Sequence, residues 1–136
     1  MKKMFLKILL MMIPIICTGQ VVISTSQLNG SRWKIKGDNS GNIYEYTSTL
    51  EKCIKKNGSS FMYYYYLSNS IVNSFDKSKL RTSSKGCYLV TYNEKANITY
   101  CWLIQKFSKS DRIMILKMMN DDIIGTSNTC VMELTK

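Results

Sequence analysis

The 136-residue sequence contains no histidine. Ser-His-Asp and Cys-His catalysis and His-ligated zinc are therefore excluded, and no side chain has an unperturbed pKa near neutrality. Carboxylates are the next candidates for acid–base work. Asp121 and Asp122 are adjacent, so an extended chain would point them to opposite sides, and Met119-Asn120-Asp121-Asp122 reads as a solvated turn. Asp38, Asp76, Glu94 and Asp111 also fall in turn-like positions. Glu45 and Glu133 are the carboxylates embedded in strand-like runs, and both read as exposed strand positions. No catalytic residue, metal site or cofactor follows from these groups.

A cysteine nucleophile needs a base or a cation beside it. None of the five cysteines has such a context, and none sits in a C-x-x-C. They read as core residues or disulfide partners. Cys53, Cys87, Cys101 and Cys130 allow three pairings. A three-residue hairpin loop at Asn93-Glu94-Lys95 would set Tyr92 against Ala96 and Cys87 against Cys101, leaving Cys53 with Cys130. A shift of one residue in that register separates the first pair.

Nineteen lysines and arginines stand against nine acids, a formal charge of +10. The arginines are Arg32, Arg81 and Arg112; the remaining cations are scattered lysines. Arginine is the preferred fork for phosphate, so nucleic acid is not an expected partner. Attraction to an anionic envelope surface or polysaccharide is a weaker alternative. The abundance of Lys, Asn, Ile and Tyr is the habit of an AT-rich bacterial genome. The Asn-x-Ser/Thr matches at Asn29, Asn57 and Asn97 are then turns or chance.

Residues 1–19 read as a secretory signal. Lys2, Lys3 and Lys7 form a positive n-region, Ile8 to Cys17 is an apolar run, and Cys17-Thr18-Gly19 suits cleavage before Gln20. The run is shorter than the roughly 20 residues that span a membrane. Residues 20–136 then form one domain, periplasmic or secreted and expected to be a monomer. The alternative is an outer-membrane lipoprotein acylated at Cys17, although Ile16 is larger than the small residue such a signal places there.

Beyond Gln20, short β-rich runs alternate with turn residues. They cover Trp33–Lys36, Ile43–Lys55, Phe61–Ser68, Gly86–Tyr92, Ile98–Phe107, Arg112–Met119 and Thr129–Leu134, with Asn57-Gly58 a hairpin signal. Ile98, Tyr100, Trp102 and Ile104 share one face, and Met114 and Leu116 oppose Ile113 and Ile115. In the four-tyrosine run, Tyr63 and Tyr65 point one way, Tyr64 and Tyr66 the other. The segment between Asn69 and Lys85 reads as a short helical turn or a loop over the sheet. The fold class is all-β, an antiparallel meander closing as a barrel of about eight strands or as a sandwich.

Leu28-Asn29-Gly30-Ser31-Arg32-Trp33-Lys34-Ile35 resembles the opening of lipocalin-like (calycin) barrels, with Gly-x-x-Trp where that family has Gly-x-Trp. The resemblance implies that Trp33 plugs the closed end. Trp33, Tyr65-Tyr66-Leu67-Ser68-Asn69-Ser70, Phe75-Asp76-Lys77-Ser78-Lys79-Leu80 and Gly86-Cys87-Tyr88-Leu89-Val90 look like small, mostly uncharacterised secreted lipocalin-like proteins of Bacteroidetes. An eight-stranded barrel can hold one small apolar ligand. The lining candidates are Trp33, Tyr44, Tyr46, Tyr63, Tyr65, Tyr88, Tyr100 and Trp102. Their bulk points to a largely filled barrel or a shallow mouth site. The alternative function is an envelope structural or interaction protein acting through its outer surface, with Tyr64 and Tyr66 exposed among lysines.

Overall fold

The computed structural model describes residues 20–120 and 129–135. Residues 1–19, read as a signal and including Cys17, and Asp121-Asp122, read as a turn, lie outside the described residues. The elements are β1 (Ile23–Ser24), helix α1 (Thr25–Leu28), β2 (Arg32–Ile35), β3 (Ile43–Tyr46), β4 (Leu50–Ile54), β5 (Ser60–Ser68), a 3-10 turn (Lys77–Lys79), β6 (Lys85–Gly86), β7 (Tyr88–Asn93), β8 (Ile98–Ser108), β9 (Ile113–Met118) and β10 (Thr129–Leu134). Eight strands close in the order β10-β2-β3-β4-β5-β7-β8-β9, each paired antiparallel with its neighbours. The chain therefore folds as a lipocalin-like barrel, and closure removes the exposed edges an open sheet would leave.

The run 43–55, continuous in the sequence reading, is two strands. Thr47 Oγ1 accepts hydrogen bonds from the N–H groups of Thr49 and Leu50, and this local turn folds β3 back onto β4. Tyr46 consequently faces Glu51, and Tyr44 faces Cys53.

The β7–β8 loop differs from the expected three residues. Asn93 pairs with Ile98, and the connection runs from Glu94 to Asn97, with Asn97 at φ 52°. Tyr92 Oη donates to Asn97 Oδ1, and the Ala96 N–H donates to Asn93 Oδ1. This longer loop moves the register by three residues, so Val90, not Cys87, faces Cys101. Neither expected disulfide forms: Cys53, Cys101 and Cys130 are free thiols, and Cys87 is disulfide-bonded to none of them.

The barrel interior has two halves. At one end Trp33, Leu67, Leu89, Ile104 and Met114 are essentially inaccessible, together with Ile23 and Leu28 from the N-terminal segment that covers that end. Trp33 Nε1 donates to Ser31 Oγ at 2.8 Å, and Ser31 Oγ donates in turn to the Leu28 carbonyl. The buried indole N–H and a carbonyl at the end of α1 are thereby both satisfied. A bulge between Ile104 and Lys106 changes the phase of β8. That phase change turns Phe107 inward, 5.8 Å from the Trp33 ring.

A second cluster lies outside the barrel. Residues 69–84 form a strap across the outer faces of β5, β7 and β8, burying Tyr66, Phe75, Cys87, Tyr88, Val90, Tyr92 and Cys101 together. Phe75 stacks on Tyr92 at 5.0 Å and tilts against Tyr66 at 4.9 Å. Val72 and Phe75 donate backbone N–H bonds to Cys101 Sγ and Thr99 Oγ1.

Candidate functional site

At the end opposite Trp33 the interior is not filled. A cavity of about 240 Å³ is lined by Ile35, Tyr44, Tyr46, Glu51, Phe61, Tyr63, Thr91, Tyr100, Trp102, Leu116 and Met132. Alternation along β3, β5 and β8 sends Tyr44 and Tyr46, Phe61 and Tyr63, and Tyr100 and Trp102 to one face. Closure brings those faces together around one space. Ile35, Leu116 and Met132 complete the wall from β2, β9 and β10.

One carboxyl enters this aromatic space. Tyr46 Oη donates a 2.6 Å hydrogen bond to Glu51 Oε2. Burial pushes the Glu51 carboxyl up to about 7, against the opposing pull of that hydrogen bond. Glu51 is half-buried and lines the cavity. No cation pairs with it among the described residues; the ion pairs Arg32–Glu45 and Lys34–Glu133 lie on the outer face, at 2.6 Å and 3.9 Å. Burial likewise raises the phenols of Tyr44, Tyr46, Tyr63 and Tyr65, so these hydroxyls stay neutral. The Cys130 thiol is pushed to about 11 and the Cys53 thiol is raised, which disfavours thiolate chemistry at both.

Five of the eight lining candidates come together here: Tyr44, Tyr46, Tyr63, Tyr100 and Trp102. Trp33 is packed into the closed end. Tyr65 lies beneath the cavity, edge-on to Tyr46 at 5.5 Å, with its hydroxyl donating to the Thr47 carbonyl. Tyr88 is on the opposite face of the sheet, under the strap, because β7 directs Leu89 and Thr91 inward. Tyr66, expected on an exposed outer surface, is 1% exposed for the same reason.

Glu51 is the candidate site residue that sequence reasoning missed. In one uninterrupted strand, Tyr46 and Glu51 differ by an odd number of positions and point to opposite faces. The turn at Thr47–Thr49 restores them to the same side. The available signal was the Thr47-Ser48-Thr49 run, whose hydroxyls compete with the sheet for backbone bonds.

Among the described residues, fold and site together define a small closed barrel with an aromatic cavity whose lining includes the Glu51 carboxyl. Compared with known proteins, the chain matches no protein family, no curated protein and no solved structure.

Proposed function

We propose that this chain is an exported binding protein, akin to the small lipocalin-like proteins of Bacteroidetes that its sequence resembles. It holds one small, mostly apolar molecule in the barrel mouth and performs no catalysis. The observation that supports this reading is the unequal filling of the barrel. One half is packed to exclusion while the other keeps about 240 Å³ between aromatic walls. A core evolved only for stability gains by filling such a space, since cavity lining forfeits contacts.

The size limits the occupant. At liquid density the space would hold about eight waters, which fits a ligand of roughly ten non-hydrogen atoms rather than a lipid. Native mass spectrometry of the protein recovered after export tests the reading. A bound mass that disappears on denaturation is the expected result, and the denatured mass reports cleavage before Gln20 or acylation at Cys17. A protein that carries nothing, and whose Trp102 fluorescence is unmoved by a panel of small aromatic compounds, would overturn it.

A further inference from the structure

We propose that the ligand is a small aromatic or alkyl amine, whose ammonium group is received by Glu51 and the surrounding tyrosine rings. This inference rests on the binding reading above and specifies its chemistry.

The cavity presents aromatic surface from Tyr44, Tyr46, Phe61, Tyr63, Tyr100 and Trp102. Aromatic faces carry negative potential, and rings gathered about a small space form a cage for an ammonium group. A neutral apolar ligand would be served by the rings alone. It would not require a carboxyl, which is costly to enclose without a cationic partner. Here the Glu51 carboxyl lines the cavity half-buried, and its Oε1 accepts no hydrogen bond among the described residues and remains accessible.

Among the described residues, the titratable groups on which Glu51 acts are neutral phenols and thiols. They are Tyr44 and Tyr46 from β3, Cys53 from its own strand, Tyr63 and Tyr65 from β5, and Cys130 from β10. The Tyr46 bond engages one carboxylate oxygen, leaving acceptor capacity for an incoming N–H. Asp38 also acts on Cys53 and Cys130, and Lys55 acts on Cys53 in the opposite sense. Glu51 thus places an acidic group in the cavity wall although the chain as a whole carries +10. At the mouth the protein already shows the contact in miniature: the Lys55 ammonium lies 5.5 Å from the Phe61 ring centroid.

The test compares three probes of nearly equal size: 2-phenylethylamine, 2-phenylethanol and phenylacetate. Each is titrated calorimetrically into the folded chain at a pH about one unit above the Glu51 pKa. The amine should bind at least about tenfold more tightly than the alcohol, as expected for a charge-assisted hydrogen bond, and phenylacetate most weakly. Glu51→Gln should erase the preference for the amine while leaving the affinity for the alcohol within a few-fold. If the variant fails to fold, the ranking of the three probes on the unaltered chain decides alone. Equal or tighter binding of the alcohol overturns the amine inference and leaves the apolar-ligand reading standing. An amine preference that survives Glu51→Gln in a folded variant overturns the role given to Glu51. Binding of none of the three, with no co-purified mass, overturns both readings.

Discussion

Tyr46 and Glu51 face each other across the β3–β4 hairpin and are joined inside the barrel by a 2.6 Å hydrogen bond. The phenol is the donor, so the bond survives ionisation of the carboxyl and strengthens with it. Desolvation acts in the opposite direction and dominates, which leaves the carboxyl titrating near 7. A chain without histidine has in this way acquired a group that changes charge near neutral pH.

That group predicts a pH profile for stability. The folded carboxyl holds its proton to about 7, whereas its ordinary value is 4.5. The native state binds more protons between these limits, so this contribution to stability is full below about 4.5, falls as pH rises, and levels off above about 7. Allowing for water admitted by the cavity, the fall is about 2 kcal/mol. Glu51→Gln keeps an oxygen for the Tyr46 hydroxyl and has no charge to desolvate. Urea denaturation across this range should give a flatter profile for the variant and greater stability above pH 7; parallel profiles would contradict the assignment.

Gly86 predicts a steric failure. A Cβ at this position would stand 2.1 Å from the Ser68 carbonyl oxygen and 2.3 Å from its carbon. Both atoms are backbone and cannot turn aside, so β5 and β6 would have to separate. Gly86→Ala should cost about 3 kcal/mol, at the upper end for overpacking, as measured by denaturant midpoint at constant slope.

The closed end predicts an unequal pair of losses. Trp33→Ala empties the most tightly packed part of the barrel and should cost about 3–5 kcal/mol. Ser31→Ala removes little volume but leaves the Trp33 indole N–H without its acceptor, at about 1–3 kcal/mol. Thermal unfolding followed by tryptophan fluorescence would rank the two; a neutral Ser31→Ala would mean that the indole finds another acceptor.

Phe75 predicts local rather than global loosening. Its ring joins Tyr66 and Tyr92, and the Tyr66 hydroxyl accepts the Asp76 N–H nearby. Phe75→Ala should speed amide exchange through residues 69–84 and at Cys101, while amides of β2 and β10 remain protected. A uniform increase across all strands would show instead that strap and barrel unfold as one unit.

Much of the barrel is legible in the alternation of its strands. Tyr63 and Tyr65 face inward and Tyr64 and Tyr66 outward, as period-2 reading requires. The misreadings arise where one residue shifts the phase. The Thr47 turn hides Glu51. The four-residue loop before Ile98 separates Cys87 from Cys101. The strap posed a different problem: Tyr88 and Tyr66 are as aromatic as the cavity tyrosines, and only a non-local cover decides that they form a second core. Glu45 and Glu133 read correctly as outward strand positions, since each meets a basic residue across the sheet.

Barrel closure also sets the order in which the chain can finish folding. β2, near the start of the domain, pairs with β10 at its far end, and Thr135 donates both its N–H and its hydroxyl to the Arg32 carbonyl. A growing chain therefore holds an incomplete sheet with two raw edges until β10 emerges. Such long-range joining is slow relative to local hairpins. β10 acts as the latch, and removing it should leave a sticky, open intermediate rather than a slightly smaller barrel.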